Sequence, residues 1–553
     1  MKQIKRTVLR GAVHYALLFA ILTSTFVIVM PRLSTYTAAY YSDDTYKTLE
    51  SVFNSSQYRQ KDNPAIIPDE TVFSYVAGAY LRGMDPIMAN SEHTPLGKYF
   101  LAASIFIFHN DKTIILLFAV LSGVSIYLVA RAVLRDSTLA LVPVLLVSFD
   151  TLFRNQLITV PLLDIIQLPF IYFALAAFFY ERISGRFLWT ALSIGCVMAT
   201  KSVVPGLLLI ICMGLNLILH IQLRILPHFV SWLGLSALIV IVSYIRTFIS
   251  GYTFLDFLKF QKWIFFYQKS KLIYPFSSLR LLLFNQWQSW WGDFSILRAE
   301  DWSYLWPVST IVSFVMAIWL ALKKRWQQVS FSPVVLILFW IIIYQTFLSI
   351  GVVSSRFFIP VLPAQYILLV YAVRLLLSYK KIPKILVMSV IIFLGLVLVP
   401  RQAQAEYMLP YPSYMPGNKL YRISRLLDRA KQPLYFGSIA SYKYHLALSD
   451  KYLVEAKILF EYKQYLLATD ALKRSDEQFK QAPHHLARAE GEGKDIRVLS
   501  AQFREAATVH KTVLVRLQAF VPETFTWEPE KATPTVLALH DLLDESIRIR
   551  DSL

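Results

Sequence analysis

The segment from Pro68 to Phe100 carries the densest set of groups able to do chemistry, PDETVFSYVAGAYLRGMDPIMANSEHTPLGKYF. Asp69 and Glu70 are adjacent carboxylates just before a periodic apolar stretch, which predicts that a helix starts here. Two interpretations stay open. An Asp at the N-cap with a Glu in the first turn stabilises a helix without any catalytic role. Alternatively, one of the two carboxylates acts as a general base toward a substrate hydroxyl.

The same segment resembles the first extracytoplasmic loop of multispanning GT-C glycosyltransferases of the protein O-mannosyltransferase and aminoarabinose-transferase type. Those families carry an Asp-Glu pair, a short helix, a Gly, and an H-P-P-L-G-K or K-P-P-L element. The matching residues here are Asp69–Glu70, Gly83 and the run His93-Thr94-Pro95-Leu96-Gly97-Lys98, in which Thr94 replaces the first Pro of the family pattern. The resemblance implies an all-α integral membrane protein that uses a polyprenyl-phosphate sugar donor.

Weaker matches to the same families follow along the chain. Asp164 ends the run ITVPLLD, but the Arg that the family places before this Asp is missing, and whether Arg154 substitutes for it stays open. ATKSVVPGL matches a family Lys at Lys201, and SSRFFIPVLP matches a basic-aromatic-Pro element at Arg356. The resemblance therefore touches residues 1–400 at spaced points, and we find none in 401–553.

The chemistry that the resemblance implies needs these residue types. A polyprenyl phosphate is already a good leaving group, so one carboxylate suffices to deprotonate the acceptor hydroxyl. A single direct displacement inverts the anomeric carbon. We predict Asp69 as the base and Glu70 and Asp164 as supporting carboxylates. Basic groups would stabilise the departing phosphate. The predicted donor-phosphate or substrate-binding residues are His93, Lys98, Lys201 and Arg356.

No metal or cofactor is predicted. Glu92 and His93 lie near the carboxylate pair in sequence, but their spacing fits no strong metal-binding signature. A monophosphate leaving group also needs a metal less than a diphosphate does.

The elements that position these residues are expected to be membrane spans. The chain is 56% hydrophobic, above the roughly 45–50% of soluble proteins. Its net charge is +19, and many of the basic residues lie in short loops between apolar runs, which is the positive-inside pattern and not a nucleic-acid site. The sequence predicts eleven spans, near 12–31, 112–134, 137–153, 164–180, 187–200, 203–221, 226–250, 303–322, 332–350, 357–379 and 384–400.

The first of these spans is expected to be an uncleaved helix, although a signal peptide is the alternative. The run 96–109 is excluded because fourteen residues with a Lys inside are too short for a bilayer about 30 Å thick. We predict that it is an amphipathic helix in the outer interface. Eleven spans place loops 32–111 and 251–302 outside, together with 401–553 and all the predicted site residues.

Two further regions leave alternatives open. Loop 251–302 is rich in Trp (Trp263, Trp287, Trp290 and Trp291), which fits either an interfacial aromatic belt or a platform for sugar or lipid. The domain 401–553 shows helical patterns at 451–482, 495–519 and 534–552, and EAKILFEYKQYLLATDAL resembles one tetratricopeptide unit. A single unit cannot bury its own face, so we predict a small helical bundle.

The sequence therefore predicts an inverting glycosyltransferase with its site on the outer or lumenal face of a plasma or ER-type membrane. The transferred sugar would be a hexose, with mannose as a candidate, and the acceptor a protein, lipid or glycan. The alternative is a transporter or lipid flippase, which should show mid-span ionisable residues and internal repeats that we do not find. A third possibility is an inactive scaffold whose outer helical domain recruits partners.

Overall fold

The computed structural model describes most of the chain, and the statements below concern these residues alone: 2–38, 40–60, 66–220, 222–269, 274–288, 296–378, 409, 416, 421–432, 435, 437–494, 496–528 and 534–551. They form two compact units, one comprising Met1–Pro31 with Ala39–Arg401 and the other Arg32–Ala38 with Gln402–Leu553. Both are helical, with two short antiparallel hairpins as the only sheets of the described residues. The predicted all-α class is confirmed.

The first unit contains most of the helices. In chain order they are α1 Lys2–Val29, α2 Leu33–Thr37 (which clusters with the second unit), α3 Asp43–Asn54, α4 Asp69–Leu81, α5 Leu96–Phe108, α6 Thr113–Leu134, α7 Leu141–Phe149, α8 Thr151–Gln156, α9 Leu163–Ser184, α10 Leu188–Thr200, α11 Val203–Leu219, α12 Leu226–Ser243, α13 Ile245–Ile249, α14 Phe254–Lys269, α15 Ser277–Phe284, α16 Leu305–Leu322, α17 Ser332–Ser349 and α18 Leu362–Ser378. A two-residue hairpin pairs β1 Trp287–Gln288 with β2 Ile296–Leu297.

The chain is a multi-pass membrane protein. Among the described residues, six helices are long and apolar enough to cross a bilayer: Gly11–Thr37, α6, α9, α12, α16 and α17. Four shorter apolar helices accompany them: α5, α10, α11 and α18. Ten of the eleven predicted spans overlap a helix, and the eleventh, 384–400, lies outside the described residues, as do Trp290 and Trp291.

Two predicted spans are interrupted by polar or proline-containing turns. The predicted span 137–153 breaks at Asp150, whose carboxylate accepts from the Leu152 amide and caps α8. The predicted span 357–379 becomes helical only from Leu362, after a 3₁₀ turn at Ser355–Phe358 and Pro360. The proline ring carries no N–H to continue a helical ladder, so the chain ahead of α18 stays irregular.

The core of this unit is organised around α9, which packs against α6 on one side and α10 on the other. Almost every side chain in its first half is buried. The segment between α2 and α6 supplies α3, α4 and α5, of which α4 and α5 pack together across a turn at Gly83. That glycine has φ +94°, a conformation that non-glycine residues rarely adopt.

The second unit is a helical bundle with one hairpin. Its helices are α19 Tyr421–Lys431, α20 Ser438–Glu461, α21 Tyr465–Gly491, α22 Arg497–Gln518 and α23 Leu539–Asp551, and its strands are β3 Thr524–Trp527 and β4 Thr535–Ala538. The helical pattern predicted at 451–482 falls in two helices, α20 and α21, which are separated by a turn at Lys463 with φ +58°. The predicted helix 534–552 is wrong at its start, where β4 pairs with β3.

Candidate active site

The carboxylate pair lies at the start of α4, but not as a helix cap. Pro68 occupies the N-cap position and no side chain caps the helix, while Asp69 and Glu70 are the first two helical residues. Asp69 Oδ2 instead accepts a hydrogen bond from Arg356 Nη2 in a partly buried ion pair. The interpretation of Asp69 as an N-cap is therefore wrong, although acidic residues in a first turn still favour the helix dipole.

The two carboxyls differ electrostatically. Burial raises the pKa of Asp69, but nearby positive charge, chiefly that of the Arg356 guanidinium from which it accepts a hydrogen bond, outweighs this effect, so its pKa lies below the ordinary range. Burial raises the pKa of Glu70, and the neighbouring Asp69 charge adds to this increase. Asp69 is thus held ionised at neutral pH, whereas Glu70 binds a proton more readily than an ordinary glutamate.

A second ion pair joins the ends of two central helices. Lys201 is the C-cap of α10 and Asp164 lies in the first turn of α9, and Lys201 Nζ is 2.5 Å from Asp164 Oδ1. Their side chains are only 10% and 5% exposed. The Phe357 ring is near the cation of each pair, with Lys201 Nζ 5.1 Å and Arg356 Cζ 5.6 Å from its centroid. Two ion pairs from distant parts of the sequence are therefore brought together, with the cation of each near one aromatic ring.

The His93–Thr94 segment is fastened to the end of α10. His93 Nδ1 is 3.3 Å from the Lys201 carbonyl oxygen, which also accepts from the Thr94 amide at 3.2 Å. Thr94 Oγ1 donates to the Met198 carbonyl at 3.0 Å. Burial lowers the pKa of His93 well below its ordinary value, and the Lys201 charge lowers it further. His93 is therefore neutral at pH 7 and can offer hydrogen bonds but no positive charge.

Gly97 allows this approach of α5 to α10. A Cβ atom added at Gly97 would lie 2.5 Å from the Thr200 carbonyl oxygen and 3.0 Å from Leu163 Cδ2. Contacts below 3.0 Å to a backbone oxygen are not tolerated, so only glycine fits without a shift of the helices. The glycine of the HTPLGK run thereby sets the position of His93 relative to Lys201.

Lys98 has a different environment from the other cations. It is fully buried, and its Nζ donates to the carbonyl oxygens of Asn90 at 2.8 Å and His93 at 2.9 Å. These bonds close the turn that precedes α5. Lys98 therefore has a structural role in holding this turn. Its predicted contact with a donor phosphate stays a prediction.

Several residues that hold the Arg356 turn were not singled out from the sequence. Tyr344 Oη donates to the Phe357 carbonyl at 3.1 Å, while Trp340 Nε1 and Tyr172 Oη donate to the Pro360 carbonyl at 2.9 and 3.1 Å. The sequence signal for such residues is a Tyr or Trp within an apolar helix, because the O–H or N–H group of a buried Tyr or Trp usually has a hydrogen-bond partner. Arg154 is not part of this cluster and lines a groove with side chains of α1.

The two ion pairs leave one hydrogen-bond donor and one acceptor unpaired among the described residues. Arg356 Nε and Asp164 Oδ2 are buried and have no hydrogen-bond partner among the described residues. Buried polar atoms are normally paired, so such an unpaired donor and acceptor suit a ligand that offers both functions. The described residues contain no group of three metal-ligating side chains close enough to hold an ion.

Comparisons with known proteins give a limited result. No family model and no curated protein matches the sequence. Among solved structures, the chain is similar to ArnT from Cupriavidus metallidurans in the apo state, with TM-score 0.44, and bound to undecaprenyl phosphate, with TM-score 0.42. Each alignment has 14% identity and covers 91% of this chain and 83% of that chain.

Proposed function

We propose that the protein is an inverting glycosyltransferase that moves a hexose from a polyprenyl-phosphate donor to an acceptor hydroxyl at the outer or lumenal membrane face. The observation that carries the proposal is the meeting of the Arg356–Asp69 and Lys201–Asp164 pairs around Phe357. These are residues that the sequence resemblance indicated independently, from segments far apart in the chain. Mannose is the candidate sugar, and the acceptor is a protein, lipid or glycan.

In the proposed reaction, Asp69 accepts the proton of the acceptor hydroxyl while the oxygen attacks the anomeric carbon. The lowered pKa keeps Asp69 ionised and ready to act at neutral pH. The bond from the sugar to the phosphate oxygen breaks, and the phosphate leaves with an added negative charge. Arg356 and Lys201 supply positive charge for it, which is the kind of preorganised stabilisation that lowers a transition state.

The remaining groups take supporting roles. Asp164 holds Lys201 through Oδ1, and its open Oδ2 is suited to accept from a sugar hydroxyl. His93, with its lowered pKa, offers a ring nitrogen for hydrogen bonding to the donor or substrate and adds no positive charge. Glu70, with its raised pKa, orients the acceptor by hydrogen bonding.

The test uses the full chain in lipid nanodiscs with radiolabelled polyprenyl-phosphate sugars and membrane lipid and protein fractions as acceptors. Asp69→Asn should fold and bind donor normally, with turnover lowered by roughly 10²–10⁴, the usual contribution of a positioned base. Asp43→Asn is the matched control, because this exposed first-loop carboxylate forms its ion pair with the surface residue Arg82, among the residues that the structure describes. It should leave turnover unchanged.

Two results would overturn the proposal. One is the absence of label transfer by the wild type from every donor offered. The other is full activity of both Asp69→Asn and Glu70→Gln. If only Glu70→Gln were inactive, the base would be the neighbouring carboxyl and the reaction class would stand.

A further inference from the structure

The turn that carries Arg356 is short. Tyr344, Trp340 and Tyr172 bond to its carbonyl groups at Phe357 and Pro360, whereas at Ser355 it is held by a buried carboxylate. Ser355–Phe358 forms a single 3₁₀ turn, too short to fix a guanidinium by its own backbone bonds. The Ser355 hydroxyl donates to Asp301 Oδ2 at 3.1 Å. Asp301 is the next-to-last residue of the outer loop 251–302 and is only 9% exposed.

Asp301 is in turn fixed by α8. Asn155 Nδ2 donates to the same Oδ2 atom at 3.2 Å, and Thr151 Oγ1 donates to the Asp301 main-chain carbonyl at 2.5 Å. The two donors lie one turn apart on α8, so Asp301 is held at both its backbone and its side chain. A single carboxylate oxygen has two lone pairs and can serve Asn155 and Ser355 together.

The helix α8 is itself bonded to the helices α16 and α18 of the first unit. Asp150, at its N-cap, accepts from Trp306 Nε1 at 3.0 Å and from the Tyr366 hydroxyl. Those two residues lie on α16 and α18 and are fully buried. The chain of hydrogen bonds therefore runs from the helical core through α8 and Asp301 to the residue adjoining Arg356.

We propose that Asp301 is a positioning residue for Arg356. Its carboxylate fixes Ser355, which fixes the turn from which the Arg356 guanidinium reaches Asp69. This deepens the proposed function, on which its catalytic consequence rests. Asp301 also connects the end of the Trp-rich outer loop to the candidate base, through its bond from Ser355 and through the adjoining Arg356–Asp69 pair.

The substitutions separate hydrogen bonding from charge. Asp301→Ala removes the acceptor of both donors, whereas Asp301→Asn retains one side-chain oxygen that can accept from both. Positioning predicts that Asp301→Asn resembles the wild type and Asp301→Ala does not. Asp85→Ala is the matched control, because Asp85 is also buried and bridges two segments through Thr247, with no hydrogen bond to the Ser355–Phe358 turn among the described residues.

Two measurements read the outcome. Hydrogen–deuterium exchange of the peptide over 354–361 reports the turn directly, through the amides of Phe357 and Ile359 that bond to Ser354 and Arg356. We expect roughly tenfold faster exchange in Asp301→Ala, and no change in Asp301→Asn or Asp85→Ala, in keeping with the loss of about one hydrogen bond. Turnover should fall roughly ten- to a hundredfold in Asp301→Ala, mainly in kcat.

The last arm places Asp301→Ala in an Arg356→Gln background, where it should lower the residual turnover no further. The proposal is overturned if exchange is unchanged in Asp301→Ala or if Asp301→Asn is as damaging as Asp301→Ala. It is also overturned if the effects of Asp301→Ala and Arg356→Gln on turnover multiply in the double variant. A wild type that transfers no sugar would defeat the proposed function, and the exchange measurement would still decide whether Asp301 fixes the turn.

Discussion

Breaking the Lys201–Asp164 pair separates the structural role of the buried charges from their role toward a phosphate. Lys201→Met leaves Asp164 without a hydrogen-bond partner among the described residues, since Lys201 binds its Oδ1 and its Oδ2 has none. Asp164→Asn leaves the Lys201 ammonium buried without its carboxylate. The double variant Asp164→Asn/Lys201→Met leaves neither charge in the protein interior.

The burial of both groups sets the magnitude. With the side chains 10% and 5% exposed, solvent screening is small, and removing one partner of such a pair costs about 3–5 kcal/mol. Each single variant should therefore be strongly destabilised. The double variant should lose less than either single, because replacing both charges by neutral groups is often nearly neutral. If Lys201 stabilises the leaving phosphate, the stable double variant should still lose about 1.5–3 kcal/mol of transition-state binding, which is roughly ten- to a hundredfold in kcat/KM.

The assay compares thermal unfolding midpoints in nanodiscs, at one scan rate because unfolding of such proteins is often irreversible, with donor kinetics of the same preparations. The interpretation fails if the losses of stability in the single variants add in the double. It fails in a different way if the double variant is stable and uses the donor at the wild-type rate, since Lys201 would then be purely structural.

Three further predictions follow from the site and its surroundings. Gly97→Ala should cost about 1–3 kcal/mol of stability by overpacking against α10, whereas Gly123→Ala, whose added Cβ would meet only an ordinary 3.7 Å contact, should unfold at the wild-type temperature. Glu70→Gln should raise the unfolding midpoint at pH 7. Because the folded pKa of Glu70 is raised, its contribution to stability is fully present below its unfolded pKa and is lost as pH rises through the folded pKa. The neutral Gln avoids this loss. The gain should vanish in scans near pH 4; a gain that persists there would refute the electrostatic explanation. In a variant lacking the native cysteines, Cys at position 90 should react with an impermeant outer reagent and Cys at 324 should not; the reverse labelling would invert the topology.

The fold was predictable where a single physical signal dominates. Long apolar runs must satisfy their backbone internally in a bilayer, so length and hydropathy suffice to locate helices such as α6 and α9. The breaks were not predictable, because they depend on tertiary partners. Asp150 interrupts α7 while its carboxylate accepts from Trp306, 156 positions away, and no local pattern announces that bond.

The site was predictable in residue types and less so in roles. The sequence indicated Asp69 and Arg356 as separate elements, but their pairing across 287 positions exists only in the fold. It also presented Lys98 as one more cation for the phosphate. The structure shows that the Lys98 ammonium donates to two backbone carbonyls, which no sequence pattern announces, while its contact with a donor phosphate stays a prediction.

In the proposed displacement, the proton transfer to Asp69 and the breaking of the sugar–phosphate bond would be coupled through Arg356. Its Nη2 binds Asp69, whereas its buried Nε has no hydrogen-bond partner in the part of the chain that the structure describes, so the proposed donor phosphate would engage the guanidinium without displacing the base. As the sugar–phosphate bond breaks, the phosphate gains charge and attracts Arg356 more strongly. The attraction that lowers the pKa of Asp69 is then shared with the phosphate. The proton affinity of Asp69 consequently rises at the moment when it must take the proton from the acceptor, so the departure of the leaving group itself strengthens the base.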